Sequence, residues 1–149
     1  MNRWQPFVTV ACVVERAGAF LMVEEERGGP QTLFNQPAGH LEPGERIRDA
    51  ALREVEEETA WRVGISDYLG MYVYQAPDGN TFHSHGFLGM ALAHMGNDLD
   101  PAIHAVHWLT LEEIEALDRE GRLRSPLVLR RIRDALAGRF FPMDVIHER

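Results

Sequence analysis

The sequence predicts a layered α/β domain built around a central sheet, and three observations lead to this fold class. The chain has 149 residues, a length that suits one domain with a sizeable core, so we expect a single domain over residues 1–149. Several short runs rich in β-branched residues lie between turn signals, which is typical of strands. A few segments with helix-capping signals lie between and after these runs. Strands mixed with a few helices pack as layers around one sheet.

The first half of the chain predicts a hairpin, an irregular connection and a long helix. Phe7–Val14 is rich in β-branched residues and indicates a buried strand, and after a short turn Ala19–Glu25 completes a hairpin. A Gly-Gly-Pro loop follows, and the next stretch, Leu33–Ala38, is short and irregular. After a Pro-Gly turn, we expect a helix over about residues 46–59.

The second half predicts further strands and two more helices. The strands are expected at Tyr68–Gln75, Thr81–Ala93 and Ile103–Leu109. Thr110, followed three residues later by Glu113, resembles a capping box and opens the second helix. The third helix opens at Ser125-Pro126, with proline at the first helical position, and Gly138 ends it.

Composition and charge narrow the function classes. The formal net charge of -8 argues against a general nucleic-acid binder and against a protein that binds acidic membranes. An anionic substrate would be repelled unless a metal ion intervened. Cys12 is the only cysteine, which suits a reducing compartment, and no apolar run approaches the roughly 18 residues of a transmembrane helix. We therefore expect a cytoplasmic protein that acts neither on nucleic-acid polymers nor at membranes.

Three acidic residues of the first helix indicate a metal site. Glu54, Glu57 and Glu58 are spaced i, i+3 and i+4, so they share one helix face within an arc of about 100°. Like charges at this spacing repel and weaken an isolated helix. A divalent cation with oxygen ligands, such as Mg²⁺, is the simplest way to offset the repulsion. Val55 falls on the flank that packs, and Glu56 points away from the other carboxylates.

The segment Gly39–Trp61 resembles the signature of the Nudix hydrolase family. That signature runs from a glycine through a glutamate to Arg-Glu, a Glu-Glu pair, a final glycine and an apolar residue. Its positions are occupied here by Gly39, Glu45, Arg53, Glu54, Val55, Glu57, Glu58, Ala60 and Trp61. Only Ala60 departs, since the family has glycine there. A terminal glycine usually adopts a left-handed conformation that costs another residue roughly 1–2 kcal/mol, so we expect a longer helix or a different exit.

The resemblance implies a fold, an activity and a set of site residues. The fold is an α/β/α sandwich around a mixed sheet, and the activity is hydrolysis of a phosphate-anhydride bond by water with Mg²⁺ or Mn²⁺. Glu54, Glu57 and Glu58 would be metal ligands, together with the carbonyl of Gly39. Arg53 would pair with Glu45 and fix the loop against the helix. One carboxylate of the cluster could be the general base, and the sequence leaves open which.

The likeness extends beyond this segment to the NudJ-type phosphatases within the family. It covers nearly the whole chain and is carried by the runs Val8–Val14, Asn35–Glu42 and Leu123–Val128. It implies substrates among nucleoside tri- and diphosphates and the pyrimidine diphosphate precursor of thiamine, with release of inorganic phosphate. Two alternatives stay open: a Nudix pyrophosphatase acting on a nucleotide sugar or dinucleotide, and a non-catalytic nucleotide-binding module.

Other residues are candidates for contact with a small phosphorylated substrate. Phe34 could stack on its ring or pack in the core, and Gln36 could hydrogen-bond a ring edge. His40, next to the turn, could approach the substrate. The arginines of the third helix are expected on a solvated face, opposite an apolar stripe; they are Arg130, Arg131 and Arg133. The chain could act as a monomer or a homodimer.

Overall fold

The computed structural model describes residues 2–148 and contains one seven-stranded sheet. Its strands are β1 (Phe7–Arg16), β2 (Ala19–Glu25), β3 (Leu33–Asn35), β4 (Ala38–His40), β5 (Trp61–Gln75), β6 (Thr81–His94) and β7 (Ile103–Thr110). The helices are α1 (Ile47–Thr59), α2 (Leu111–Arg119) and α3 (Leu127–Leu136), followed by a 3-10 turn at Met143–Val145. None of the helices between residues 2 and 148 combines the length and apolar character needed to cross a bilayer.

The sheet is mixed, as the family resemblance implies. The main path runs β3-β2-β1-β6-β5, while β4 pairs with β1 and β7 pairs with β2. Strands β1 and β6 are parallel, with Thr9 opposite Ser84, and the other named pairs are antiparallel. On its other edge, Thr9 lies opposite His40 of β4. This register places His40, Thr9 and Ser84 in one row across three neighbouring strands.

Helices cover both faces of the sheet because the strands are apolar on both sides. Val10, Cys12 and Val14 of β1 pack with Ala51 and Val55 of α1 in one core cluster. The second core cluster contains Val13 of β1 and takes its helical members from α2 and α3; they are Ile114, Val128, Leu129 and Ile132. Since successive residues of a strand point to opposite faces, the two clusters lie on opposite sides of the sheet. The α/β/α sandwich is confirmed.

Two strand predictions need correction. Strand β5 begins at Trp61 rather than at Tyr68, and Leu33–Ala38 contains β3 and the start of β4. The pairing of β5 with β6 shifts register at Arg62/Val63, at Ile65/Asp67 and again at Tyr68/Gly70. Each bulge locally disturbs the two-residue alternation. A strand pattern is nevertheless present at the start of β5 and was missed, because apolar Trp61, Val63 and Ile65 alternate with Arg62, Gly64 and Ser66.

The exit from α1 also differs from both expectations. The helix ends after Thr59, and Ala60 itself adopts the left-handed conformation, with φ 62° and ψ 12°. The N–H of Ala60 donates to the carbonyl of Glu56. Ala60 therefore takes the conformation that the family's glycine would favour, at the steric cost of its methyl group. Trp61 is then placed edge-to-face on Trp108, with ring centroids 5.6 Å apart.

Candidate active site

Arg53 lies at the centre of the acidic face of α1. Its Nε and Nη2 donate to the two carboxylate oxygens of Glu45, at 2.8 and 3.0 Å. Its Nη1 donates to Glu54 at 2.9 Å and to Glu57 at 3.2 Å, and Nη2 also donates to the carbonyl of His40 at 3.1 Å. The hydrogen bond from Arg53 lowers the pKa of Glu45. One guanidinium thus ties the loop before the helix, the helix and the end of β4 together.

The three glutamates of the cluster have different environments. Glu57 is the most exposed, with 51% of its side chain accessible, against 13% for Glu54. Burial raises the pKa of Glu54, and the hydrogen bond from Arg53 opposes this rise. Glu58 is buried, and its Oε1 accepts a 2.9 Å hydrogen bond from the N–H of Ala38 in β4. The exposure of the three carboxylates therefore decreases from Glu57 to Glu54 to Glu58.

Two buried carboxylates lie where a cation would be favoured. The pKa of Glu58 is raised to about 9, chiefly by burial; the Ala38 hydrogen bond opposes the rise and the nearby Glu25 carboxylate adds to it. Glu25, the last residue of β2, is 1% exposed. One of its oxygens accepts a hydrogen bond from Arg27 at 2.6 Å, and the other is buried without a hydrogen-bond partner. An unpartnered buried carboxylate oxygen is costly unless a positive charge compensates it.

The shifted pKa of Glu58 predicts how the metal-free protein responds to pH. Between the ordinary pKa of 4.5 and about 9, the unfolded chain releases a proton that the folded chain keeps, so the free energy of unfolding falls as pH rises. Glu58→Gln has no such proton and can still accept the Ala38 hydrogen bond. In EDTA the variant should therefore be more stable than the wild type by about 2 kcal/mol at about pH 8, and by much less at about pH 5.

Denaturant unfolding at both pH values measures this difference. Glu120→Gln, at an exposed residue just after α2, is the matched control and should change stability by less than about 0.5 kcal/mol. Equal stability of wild type and Glu58→Gln at the higher pH would mean that Glu58 is ionised without cost in the folded chain.

Gly39 in β4 is held against the cluster. A Cβ built on Gly39 would overlap the carboxylate of Glu54. The absence of a side chain therefore lets the backbone of β4 lie directly beside Glu54.

The donor set fits a divalent cation. Carboxylate and carbonyl oxygens are the ligands that Mg²⁺ and Mn²⁺ prefer, and the unpartnered oxygen of Glu25 marks a place where positive charge is favoured. Within residues 2–148 no three His, Cys, Asp or Glu side chains converge as a ready-made metal site. Arg53 now neutralises Glu54 and Glu57, so binding a cation there requires those carboxylates to turn from Arg53.

A cleft of about 500 Å³ adjoins this cluster. Ala38, Gly39 and His40 of β4 line it, so the same short strand contacts the cleft on one side and α1 on the other. Arg27, which binds the buried Glu25, also lines it. The cleft continues across the row of β1 and β6 residues to the start of α3.

The predicted substrate residues occupy different positions. His40 lies in the lining of the cleft, with its ring edge-to-face on Phe7 at 5.6 Å. Phe34 is 6% exposed and belongs to the second core cluster, where Arg122 lies over its ring. Gln36 is 1% exposed. Its Nε2 donates to the carbonyl of Val128, and its Oε1 accepts a hydrogen bond from Arg131. Phe34 therefore packs in the core, the alternative to stacking on a substrate ring.

Arg131 is not on a solvated face, so that prediction is wrong for this residue. It is 4% exposed and lines the cleft, whereas the side chains of Arg130 and Arg133 are 63% and 59% exposed. A sequence signal was present, because Arg131 follows the buried Val128 by three residues and therefore shares its helix face. Arg124 lines the same cleft.

The comparisons with known proteins decide the family. A family model of the NUDIX domain matches residues 5–131. The chain belongs to the Nudix hydrolases. This Nudix hydrolase is 39% identical over 146 residues to the Phosphatase NudJ of Escherichia coli strain K12, a match that covers 96% of this chain and 92% of that protein. The Phosphatase NudJ of Shigella boydii serotype 4 matches with the same identity and coverage.

A solved structure agrees with this assignment. A NUDIX hydrolase from Nitrosomonas europaea superposes on the Nudix hydrolase described here with a TM-score of 0.92 and 37% sequence identity. The match covers 97% of this chain and 98% of that one. The chain is thus an enzyme of the hydrolase class, and its relatives include phosphatases.

Proposed function

We propose that this chain is a Mg²⁺- or Mn²⁺-dependent phosphatase of nucleoside tri- and diphosphates or of small pyrimidine diphosphates of the thiamine-precursor type, releasing inorganic phosphate. The observation that carries the proposal is the contact of Glu54 with Gly39 and of Glu58 with Ala38, two residues that line a cleft of about 500 Å³. Glu57 is joined to Glu54 through Arg53. That volume is in the range of small-molecule sites. The name of the NudJ relatives, phosphatase, supports the type of product.

The proposed roles follow from the contacts. Glu54, Glu57, Glu58 and the Gly39 carbonyl would hold the cation, which when bound polarises phosphoryl oxygens and lowers the pKa of a water molecule. Arg53 positions Glu45, Glu54 and Glu57 through its hydrogen bonds. The buried Glu58 holds a proton near neutral pH in the absence of a cation. Any carboxylate of the cluster could be the general base.

The cleft would receive the rest of the substrate. The whole chain carries a net charge of -8. The residues that line the cleft nevertheless include three arginines, Arg27, Arg124 and Arg131, and one carboxylate, Asp78. This local positive charge favours an anionic substrate where the protein as a whole repels one. His40 and Arg124, which both line the cleft, are proposed to contact phosphate oxygens.

Removing the metal tests the proposal. Phosphate release from a panel of nucleoside di- and triphosphates and pyrimidine diphosphates is expected with Mg²⁺ or Mn²⁺, and to stop with excess EDTA. Recovery on adding back the metal controls for damage by the chelator. Product analysis separates the rivals, because two nucleotide products would indicate a pyrophosphatase of nucleotide sugars or dinucleotides. Nucleotide binding without turnover of any panel member would indicate a non-catalytic module.

Location and assembly belong to the same proposal. A reducing compartment such as the cytoplasm suits the single cysteine, Cys12, which is buried in the core. Burial raises the pKa of its thiol to about 12, so it stays protonated and unreactive. The enzyme is proposed to act as a monomer or homodimer, which sedimentation analysis would distinguish.

A further inference from the structure

Arg131 is a buried cation whose charge is unbalanced. Its Nη1 donates to the side-chain oxygen of Gln36 at 3.1 Å, its Nη2 donates to the hydroxyl of Ser84 at 2.8 Å, and its Nε is buried without a partner. Both acceptors are neutral. Its guanidinium also lies over the ring of Tyr72, 5.5 Å from the centroid. The ion pairs within residues 2–148 do not include Arg131.

An unbalanced buried cation needs a reason. Burying a charge is expensive unless it is paired and hydrogen-bonded. Burial lowers the pKa of Arg131 to about 10, so the group keeps its charge at neutral pH. The hydrogen bonds to Gln36 and Ser84 fix the guanidinium plane, and Gln36 is itself fixed by the carbonyl of Val128 at 2.6 Å. A rigid donor held this way at the wall of a cleft is suited to an acceptor atom of a ligand.

The sheet register places this donor away from the acidic cluster. His40, Thr9 and Ser84 lie in one row across β4, β1 and β6, so Ser84 is two strand spacings, or about 10 Å, from His40. A diphosphate held beside Gly39 is too short to span this row. In a diphosphate substrate, the part that reaches Arg131 is therefore the other end, the ring.

The cleft that Arg131 lines also has walls that suit a ring. Phe82, Tyr74 and Pro77 line the same cleft, and aromatic side chains accept the faces of heterocycles with little dependence on their substituents. Selectivity among rings then has to come from polar contacts at their edges. Arg131 offers only donors, so it pairs with a ring oxygen and opposes an amino group at the same position.

We propose that Arg131 binds an oxo group on the ring of the substrate and so selects oxo-substituted nucleobases over their amino-substituted counterparts. The inference rests on the proposed function, since it assigns the ring-binding end of the same cleft. The discrimination is strong because a site that presents buried donors rejects a ring lacking the matching acceptor. Gln36 and Ser84 are positioning residues in this arrangement.

Matched pairs of diphosphates test the proposal. Inosine and adenosine diphosphate differ only in the oxo or amino group of the purine edge and its coupled ring nitrogen, and uridine and cytidine diphosphate are the pyrimidine pair. The wild type should show a kcat/KM about 10-fold or more higher for the oxo member of at least one pair. Arg131→Met should lower kcat/KM of that oxo member by about 10-fold or more and change the amino member by less than about 3-fold.

Two further variants and a binding assay separate a loss of ring recognition from a loss of folding or of turnover. Arg133→Met, on the exposed side of the same helix, should leave both members of each pair unchanged. Arg131→Lys keeps a charge in case Arg131→Met fails to fold, and it should reduce the preference because it loses the planar fork of donors. Calorimetry in EDTA with inosine and adenosine monophosphates reports ring binding without turnover, and only the wild type should prefer inosine monophosphate.

Two failures are distinguishable. If no diphosphate is hydrolysed but the metal-free wild type prefers inosine monophosphate and Arg131→Lys does not, the proposed function fails and the assignment of Arg131 survives. If diphosphates are hydrolysed without an oxo preference, or if both Arg131 variants lower the two members of a pair equally, the assignment of Arg131 is wrong and the proposed function stands.

Discussion

Glu57→Gln is expected to reduce phosphate release by about 100-fold or more while leaving the fold intact. Glu57 is the most exposed glutamate of the cluster, with 51% of its side chain accessible, so an isosteric amide costs little packing energy. Its proposed contribution is a negatively charged oxygen for the cation, and a neutral amide oxygen is a much weaker ligand for Mg²⁺. The loss should therefore appear in turnover and in metal affinity rather than in stability.

Initial rates over a range of Mg²⁺ concentrations measure this prediction, with the melting temperature as the check on folding. Glu56→Gln is the matched control, since it changes the neighbouring residue of the same helix outside the cluster and should retain near-normal rates. Near-normal turnover of Glu57→Gln at saturating Mg²⁺ would remove Glu57 from the ligand set. The expected result is lower turnover at saturating Mg²⁺, together with a higher Mg²⁺ concentration for the half-maximal rate.

Those parts of the fold and site that depend on local geometry could be predicted from the sequence. The spacing of Glu54, Glu57 and Glu58 fixes their common face because helix periodicity is a property of the backbone. The capping box at Thr110 forms as predicted, with the Glu113 N–H donating to the threonine hydroxyl and the Thr110 N–H to the Glu113 carboxylate. The sequence does not show that Glu58 is more buried than Glu54 and Glu57, because this burial depends on how closely β4 packs on α1.

Features that depend on distant partners could not be predicted. The burial of Arg131 requires acceptors on Gln36 and Ser84, which are 95 and 47 residues away in the sequence. The unpartnered oxygen of Glu25 becomes significant only because the fold brings β2 next to Glu58. Ala60 shows a third limit, since it adopts a left-handed conformation that the intrinsic preference of alanine disfavours.

Gly39→Ala is expected to lower both activity and stability. The added methyl group would overlap the Glu54 carboxylate, so either Glu54 turns out of the cluster or β4 shifts away from α1. Overpacking of this kind typically costs about 1–3 kcal/mol of stability. Displacing a carboxylate and the Gly39 carbonyl together should reduce kcat/KM by about 10–100-fold. Thermal unfolding in EDTA and phosphate release with Mg²⁺ measure the two effects separately.

A control and a second substitution assign the effect to this one contact. Gly29→Ala also adds a methyl group to a glycine, but its Cβ would meet nothing within 4 Å, so both measurements should stay near wild type. Glu54→Asp shortens the opposing side chain by one methylene and makes room for the methyl group that Gly39→Ala adds, without removing the negative charge. The double variant should therefore be more stable than the sum of the single effects, because the two residues are in contact. Additive losses would mean that Gly39→Ala acts through the backbone of β4, and that the approach of Gly39 to Glu54 does not hold the cluster in place.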